Sequence, residues 1–355
     1  MHPTASRFVR LFPGLFGLLA CCLLLSCARK IYNIAHPALA DGRYDTEFPY
    51  GACSREIATV GSTTHLLNSI AYYKAYLLPE NEQWKLGEIN RTVLEKRTTK
   101  IIYFNNTASG TATVILSEPH RIALMTCAHI VDFPDTIVRY NRNEQNQPVS
   151  VQSIAFKEKQ NNYITDITEG GEMSILYLNR EADFAIVARE FSAFMTNLAP
   201  VFDFPRGKAS ELDWGNYVYL LGFPRGNKMV TSGLVSLSDR ERSGDFLVDA
   251  PFNRGFSGGL VLAIRDGVPH FELVGMAKSA AAEYEYVIRP PDNINFDRFD
   301  ERTPYRGELF VDYKANIQYG VTNVTALETI IRLLRQNEKS FLGRGYDFRK
   351  FYGEK

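Results

Sequence analysis

The stretch Asp249-Ala250-Pro251-Phe252-Asn253-Arg254-Gly255-Phe256-Ser257-Gly258-Gly259 decides how the rest of the chain is read. One serine sits among glycines, between the apolar strand-like runs Phe246-Leu247-Val248 and Leu260-Val261-Leu262-Ala263. Glycine serves where the backbone needs positive φ or where something approaches it closely. Such a loop can present one hydroxyl and aim its own N–H groups at a single spot. A serine nucleophile in acyl transfer needs that arrangement, because donors must already be in place for the developing oxyanion. Read alone, the stretch is equally a hairpin turn with an incidental serine. The rest of the chain must supply a base and an orienter.

Composition sets the outer bounds. The 355 residues suffice for one large or two small domains with a full core. Lysine plus arginine equals aspartate plus glutamate, 40 of each, so there is no basic field for nucleic acid and no acidic tail. With 45% hydrophobic and 23% charged residues the chain is an ordinary globular one. Nineteen tyrosines, 23 phenylalanines and many short Val/Ile-rich runs favour β structure.

The start of the chain reads as a signal. Arg7 and Arg10 precede the apolar run Leu11 to Leu25, and small Ser26 precedes Cys27. The run is shorter than the ~20 residues that span a membrane comfortably, which favours a cleaved secretory segment over a signal anchor. Leu24-Leu25-Ser26-Cys27 resembles a bacterial lipobox, which implies lipidation of Cys27 and residence in the bacterial cell envelope, membrane-anchored and exported. Leu18-Leu19-Ala20-Cys21 is a second match just upstream. Cys27 is preferred because it leaves the longer apolar run and is followed at once by polar, charged sequence. Cys53 and Cys127 then remain, and unpaired thiols are the default for them.

Ala28 to about Gly51 lacks periodicity and reads as a tether. Leu66, Leu67, Ile70, Tyr73 and Leu77 fall at helical spacing, which predicts a helix between Ser54 and Leu78 that ends near Pro79. His65, near its start, reads as a packing residue. From Lys100 onward the texture changes to short runs such as Ile101-Ile102-Tyr103-Phe104, Thr111 to Leu116, Ile122 to Met125, Phe184 to Val187 and Tyr217 to Leu221. Many short strands with few helices between them indicate a sandwich or barrels. Tyr140 to Glu172 and Glu283 to Arg306 read as long loops. Thr325-Ala326-Leu327-Glu328 fits a capping box ahead of Leu327, Ile330, Ile331 and Leu334, a terminal amphipathic helix.

Among the six histidines only His129 has a suggestive setting, Thr126-Cys127-Ala128-His129, where a strand ends in small residues. Asp183 stands at the mouth of the apolar run Phe184-Ala185-Ile186-Val187. Singly, each is ordinary. Together they supply what Ser257 lacks, since a serine hydroxyl needs an imidazole to take its proton and the imidazole needs a carboxylate to fix its tautomer.

These three blocks, in the order His129, Asp183, Ser257, resemble the signature blocks of the trypsin-like (chymotrypsin-fold) serine proteases. Leu221-Gly222-Phe223-Pro224-Arg225-Gly226, Val230 to Ser236, and Val248 to Gly255 are similar to segments of HtrA-like periplasmic proteases, as is Ile317 to Val321 leading into the last helix. The resemblance covers roughly Lys100 to Gln336. It implies an all-β fold of two six-stranded antiparallel barrels, with a C-terminal amphipathic helix and a short N-terminal helical extension. The expected organisation is a signal at 1–26, a tether and helical extension at 27–99, a protease domain at 100–336 and a tail at 337–355. Within that domain the barrels are expected at about 100–200 and 210–322, and the helix at 325–336.

The resemblance makes Ser257 the nucleophile, His129 the general base and acid, and Asp183 the orienter. Gly255 and Ser257 would supply the oxyanion-hole N–H groups, and Pro251, Phe252 and Met276 an apolar, shallow substrate pocket. Substrates would be proteins or peptides; no cofactor, metal or nucleic acid is expected, and the oligomeric state is open. Three departures stand out. Phe256 precedes the serine where the family has a small polar residue, and is expected to tighten or reshape the oxyanion loop. Cys127 replaces a small or polar residue, and the tail beyond the last helix is too short for a PDZ module. The glycine–serine pattern also fits an α/β-hydrolase elbow, but no strand–turn–helix surrounds it and only His270 lies downstream. The rival reading is a non-catalytic trypsin-fold lipoprotein that binds partners or scaffolds an envelope complex.

Overall fold

The computed structural model describes residues 40–49, 51–79, 81–143, 147–167, 171–237, 245–289, 306–307 and 309–353. The expected signal, with Cys21 and Cys27, lies outside them. Helix α1 spans Ser54–Gly61, but the chain then becomes strand β1, Thr64–Leu77, in place of the longer helix expected. Burial along β1 alternates, with Leu67, Ser69, Ala71, Tyr73 and Ala75 inward. Alternation is the strand period. Small Ser69, Ala71 and Ala75 hide it from a count of large apolar residues, which happen to fall at helical spacing.

Six antiparallel strands close the first barrel. They are β1, β2 (Lys100–Glu118), β3 (Arg121–Thr126), β7 (Phe184–Glu190), β6 (Glu172–Asn179) and β5 (Pro148–Ile164), and β5 pairs back onto β1. Strand β4 (Thr136–Arg142) lines the outer edge of β5. The barrel therefore begins at Thr64, well before Lys100. β5 runs through a region that reads as a loop because it is rich in polar residues. Two of these, Asn161 and Asn162, are buried and bonded, the latter donating to the Met173 carbonyl at 3.1 Å. Helix α2 (Arg91–Arg97), capped by the Asn90 side chain, packs Val93 and Leu94 near Leu78, Val151 and Ile154. The third helix, α3 (Ala128–Val131), is a single turn after β3.

The second barrel is closed in the order β10 (Asp245–Asp249), β13 (Phe310–Ala326), β12 (Phe271–Arg289), β11 (Leu260–Ile264), β8 (Tyr217–Gly222) and β9 (Met229–Leu237). Strand β12 continues through Arg289, paired with β13 beyond the barrel, where a loop is expected from Glu283. Its interior holds Val218, Leu220, Val248, Phe252, Phe256, Val261 and Val274. A larger apolar cluster fills the first barrel and runs between the two.

Terminal helix α4 (Leu327–Gln336) buries Leu327, Ile330, Leu333 and Leu334 against that cluster, the face expected of it. Each such side chain contributes about 1.5–3 kcal/mol when fully buried. Its capping box does not form. Thr325 donates its hydroxyl to the Ala182 carbonyl at 3.2 Å, and Glu328 accepts from the N–H groups of Ala209 and Ser210. After α5 (Glu338–Gly343) the tail docks, with Phe341, Phe348 and Phe351 buried. The expected tether is also partly fixed: Tyr44 bridges Arg265 in β fashion and donates its hydroxyl to Glu272 at 2.8 Å.

Candidate active site

Pairing of β3 with β7 places Thr126 opposite Ala185. The turn after β3 and the residue before β7 therefore meet, which brings His129 to Asp183. Asp183 holds the histidine at two points. Its Oδ1 accepts the His129 backbone N–H at 2.9 Å, and its Oδ2 lies 2.7 Å from His129 Nδ1. Its own carbonyl accepts from Ala128 N–H at 3.1 Å. A carboxylate only accepts, so Nδ1 carries the proton and Nε2 keeps its lone pair. Asp183 makes these contacts with φ of +51°, left-handed backbone that aspartate tolerates better than most residues. The carboxylate is nearly enclosed, at 13% exposure, while the imidazole is 47% exposed. That suits a fixed orienter beside a ring open to an incoming group.

Ser257 lies where the two barrels meet, its carbonyl accepting the Thr111 N–H of β2 at 2.7 Å, and is 8% exposed. Gly110 lets the two halves close: a Cβ there would stand 2.1 Å from Ile130 Cδ1 and 2.8 Å from the Ser257 carbonyl oxygen. Ile130 follows His129 directly, so the segments that carry the histidine and the serine both pack on this glycine. Among the described residues Ser257 Oγ makes no hydrogen bond, to His129 or otherwise; such contacts often tighten only with substrate bound.

The loop before the serine has a definite shape. Gly255 adopts φ of +109°, and a Cβ there would lie 2.1 Å from the Phe223 carbonyl. Arg225 N–H donates to the Arg254 carbonyl at 3.0 Å, and Gly259 N–H to the Phe256 carbonyl at 2.8 Å. Both peptides are trans. In a trans peptide the N–H points opposite to the C=O. The N–H groups of Gly255 and Ser257 are thus turned away from these partners, and among the described residues neither donates to another group. They are two unspent donors on the loop that carries the serine.

Phe256 does not distort this loop. Its ring is 2% exposed and sits inside the second barrel against Phe252, with ring centroids 6.2 Å apart. Gly222 makes room, since a Cβ there would approach Phe256 Cδ1 to 2.9 Å. Of the three residues expected to form a pocket, Met276 is fully buried, Phe252 packs in the second-barrel cluster with 6% exposure, and Pro251 is exposed.

Cys127 and Cys53 are both free. The Cys127 thiol is buried and donates to the Ala277 carbonyl at 3.4 Å. Burial, then the neighbouring Asp183 charge, pushes it well above the ordinary thiol range. It therefore stays protonated and is no rival nucleophile. Cys127, His129 and Asp183 offer ligand atoms within 4.8 Å of one another. The set does not fit a metal: Nδ1 and Oδ2 are committed to each other, and a thiolate would have to form where a thiol is favoured.

Sequence reasoning missed Gly110, Thr111 and Arg225. Gly110-Thr111 opens a fully buried run, and Arg225-Gly226 sits in a turn where both residues have positive φ. The only available signal was a glycine beside each. Residues 110–276 match the family model of the trypsin-like peptidase domain. The comparison with curated proteins gave no match.

Proposed function

We propose, on the premise that residues 110–276 form a trypsin-like peptidase domain, that this protein is a serine endopeptidase with Ser257 as nucleophile. The observation that carries the reading is the doubly held His129–Asp183 pair together with the Ser257 loop, where the Gly255 and Ser257 N–H groups are unspent. His129 Nε2 takes the Ser257 Oγ proton as Oγ attacks the scissile carbonyl, and Asp183 stabilises the imidazolium. The tetrahedral oxyanion accepts from the N–H groups of Gly255 and Ser257, each such donor being worth on the order of 10² to 10³ in rate. His129 then gives its proton to the leaving amine, and the acyl-enzyme remains. Water, deprotonated by the same imidazole, releases the acid.

The HtrA-like segments from Leu221 to Gly255 support an HtrA-like branch acting on unfolded protein segments. The Leu24 to Cys27 lipobox supports export and anchoring of the mature protein in the bacterial envelope through lipid on Cys27. The deciding experiment is labelling with a fluorophosphonate probe. We expect one adduct, on Ser257, absent from Ser257→Ala, together with cleavage of an unfolded protein. A folded wild type that takes no label and cleaves nothing would leave a non-catalytic binding role. Palmitate incorporation lost in Cys27→Ala but kept in Cys21→Ala tests the anchor.

A further inference from the structure

Four consecutive peptides, from Arg254–Gly255 to Ser257–Gly258, determine where the two candidate oxyanion donors point. Each has its carbonyl pinned. Arg225 N–H holds Arg254 O and Gly259 N–H holds Phe256 O. The remaining two are held by one residue on the other barrel. Thr111, on β2, donates its backbone N–H to the Ser257 carbonyl at 2.7 Å and its Oγ1 hydroxyl to the Gly255 carbonyl at 2.8 Å.

Thr111 has no polar atom left over. Its Oγ1 also accepts the Phe223 N–H at 3.0 Å, and its carbonyl accepts the Thr126 hydroxyl at 2.7 Å. Thr126 heads the turn that carries His129. The side chain is fully buried, so no water can replace a lost partner directly. Without the hydroxyl, Phe223 N–H would lose the shorter of its two acceptors, and Phe223 N–H and Gly255 O would keep only their long 3.4 Å contact with each other. A buried group left unsatisfied is costly, and the local backbone rotates to find a partner. The peptide free to rotate adjoins both donors. Among these four carbonyl pins Thr111 Oγ1 is the single side-chain one, and hence the one a substitution can remove.

We propose that Thr111 is a positioning residue for the oxyanion hole: its hydroxyl, reaching from the first barrel, sets the Gly255–Phe256 peptide and so the aim of the Gly255 and Ser257 N–H groups. This rests on the proteolytic reading of the site. Binding of a peptide in the ground state depends little on those donors, whereas the transition state depends on them strongly. The hydroxyl therefore acts on kcat rather than KM.

The test compares wild type with Thr111→Val, isosteric without the hydroxyl, and Thr111→Ser, which keeps it. Steady-state cleavage of a peptide ester and the fluorophosphonate labelling rate are measured on protein of verified cooperative melting. We expect Thr111→Val to lower kcat and the labelling rate by roughly 10- to 100-fold with KM within about twofold. Thr111→Ser should recover most of that loss. Folded Thr111→Val with wild-type kcat overturns the proposal. So does a folded Thr111→Ser impaired by roughly 100-fold, an outcome that remains decisive if the valine variant fails to fold. An unreactive wild type overturns the proteolytic reading and this proposal with it. A reactive wild type with equally reactive variants overturns only the role of Thr111.

Discussion

Phe256 and Phe252 lie with ring centroids 6.2 Å apart at 44°, both inside the second barrel. The side chain directly before the candidate nucleophile is thus part of a hydrophobic core. Neighbouring Val248, Val261 and Val274 share that cluster. It anchors the loop that carries Ser257.

Replacing that anchor should cost stability. Phe256→Ala is expected to destabilise the protein by about 3–5 kcal/mol, the usual cost of emptying a buried phenylalanine site. Phe256→Asn, which places a small polar residue there, should cost at least as much because its amide finds an apolar surrounding. Chemical denaturation at neutral pH measures both. Loss below about 1 kcal/mol would show that the ring is not held as described.

Asp183 is expected to act through the His129 tautomer. Asp183→Asn presents an amide to Nδ1 and can leave the proton on Nε2, where it blocks attack. The expected result is a fall in kcat on the order of 10³ to 10⁴, with KM little altered. Initial rates across substrate concentration separate the two, and an equal change in both would argue against this role.

Acid stability should depend on Asp132 and Arg180. Asp132 follows the α3 turn that carries His129, and Arg180 holds it by Nε at 2.5 Å and a second nitrogen at 3.0 Å. Hydrogen bonding from the Arg180 guanidinium keeps the Asp132 carboxyl below its ordinary value. A depressed acid contributes stability that is present above its unfolded pKa, about 3.9 for aspartate, and lost as pH falls through the lower folded value. Arg180→Gln should therefore melt earlier than wild type at pH 6. The difference should shrink below about pH 4 and vanish once the wild-type carboxyl is protonated. Arg180 is largely exposed, so the gap is small and best read as a difference in melting temperature.

The domain begins earlier than the texture of the sequence suggests, and truncation tests this. A chain starting at Lys100 lacks β1 and leaves the edges of β2 and β5 unpaired. Unpaired strand edges template association. That chain is expected in the insoluble fraction, whereas one starting at Ala52 should be soluble and melt cooperatively.

Legibility in the sequence depended on how each residue acts. His129, Asp183 and Ser257 stand at strand ends beside small residues, where chemistry and glycine leave a local mark. The apolar runs of β3, β7 and β11 are buried throughout and so visible as runs. β1 reads as a helix because three of its five alternating inward residues, Ser69, Ala71 and Ala75, are small and drop out of a count of large apolar side chains. β5 reads as a loop because polar residues such as Asn161 and Asn162 are buried in it, the latter satisfied by the Met173 carbonyl of the neighbouring strand. Thr111 could not be found at all, since its partners at Gly255 and Ser257 lie in another barrel. Phe256 is instructive the other way. The chain marks it as unusual, but only packing shows that it turns away from the cleft.

The double pairing of β1 also sets an order in time. Synthesis delivers β1 and then β2, which can pair at once, yet the other edge of β1 waits for β5, whose Ile164 sits opposite Leu67. Nearly a hundred residues must emerge before the first barrel can shut, and distant pairings of this kind form slowly. Until then Leu67, Ala71 and Tyr73 face an unfinished interior. That delay is the interval in which a holding chaperone has the most to bind.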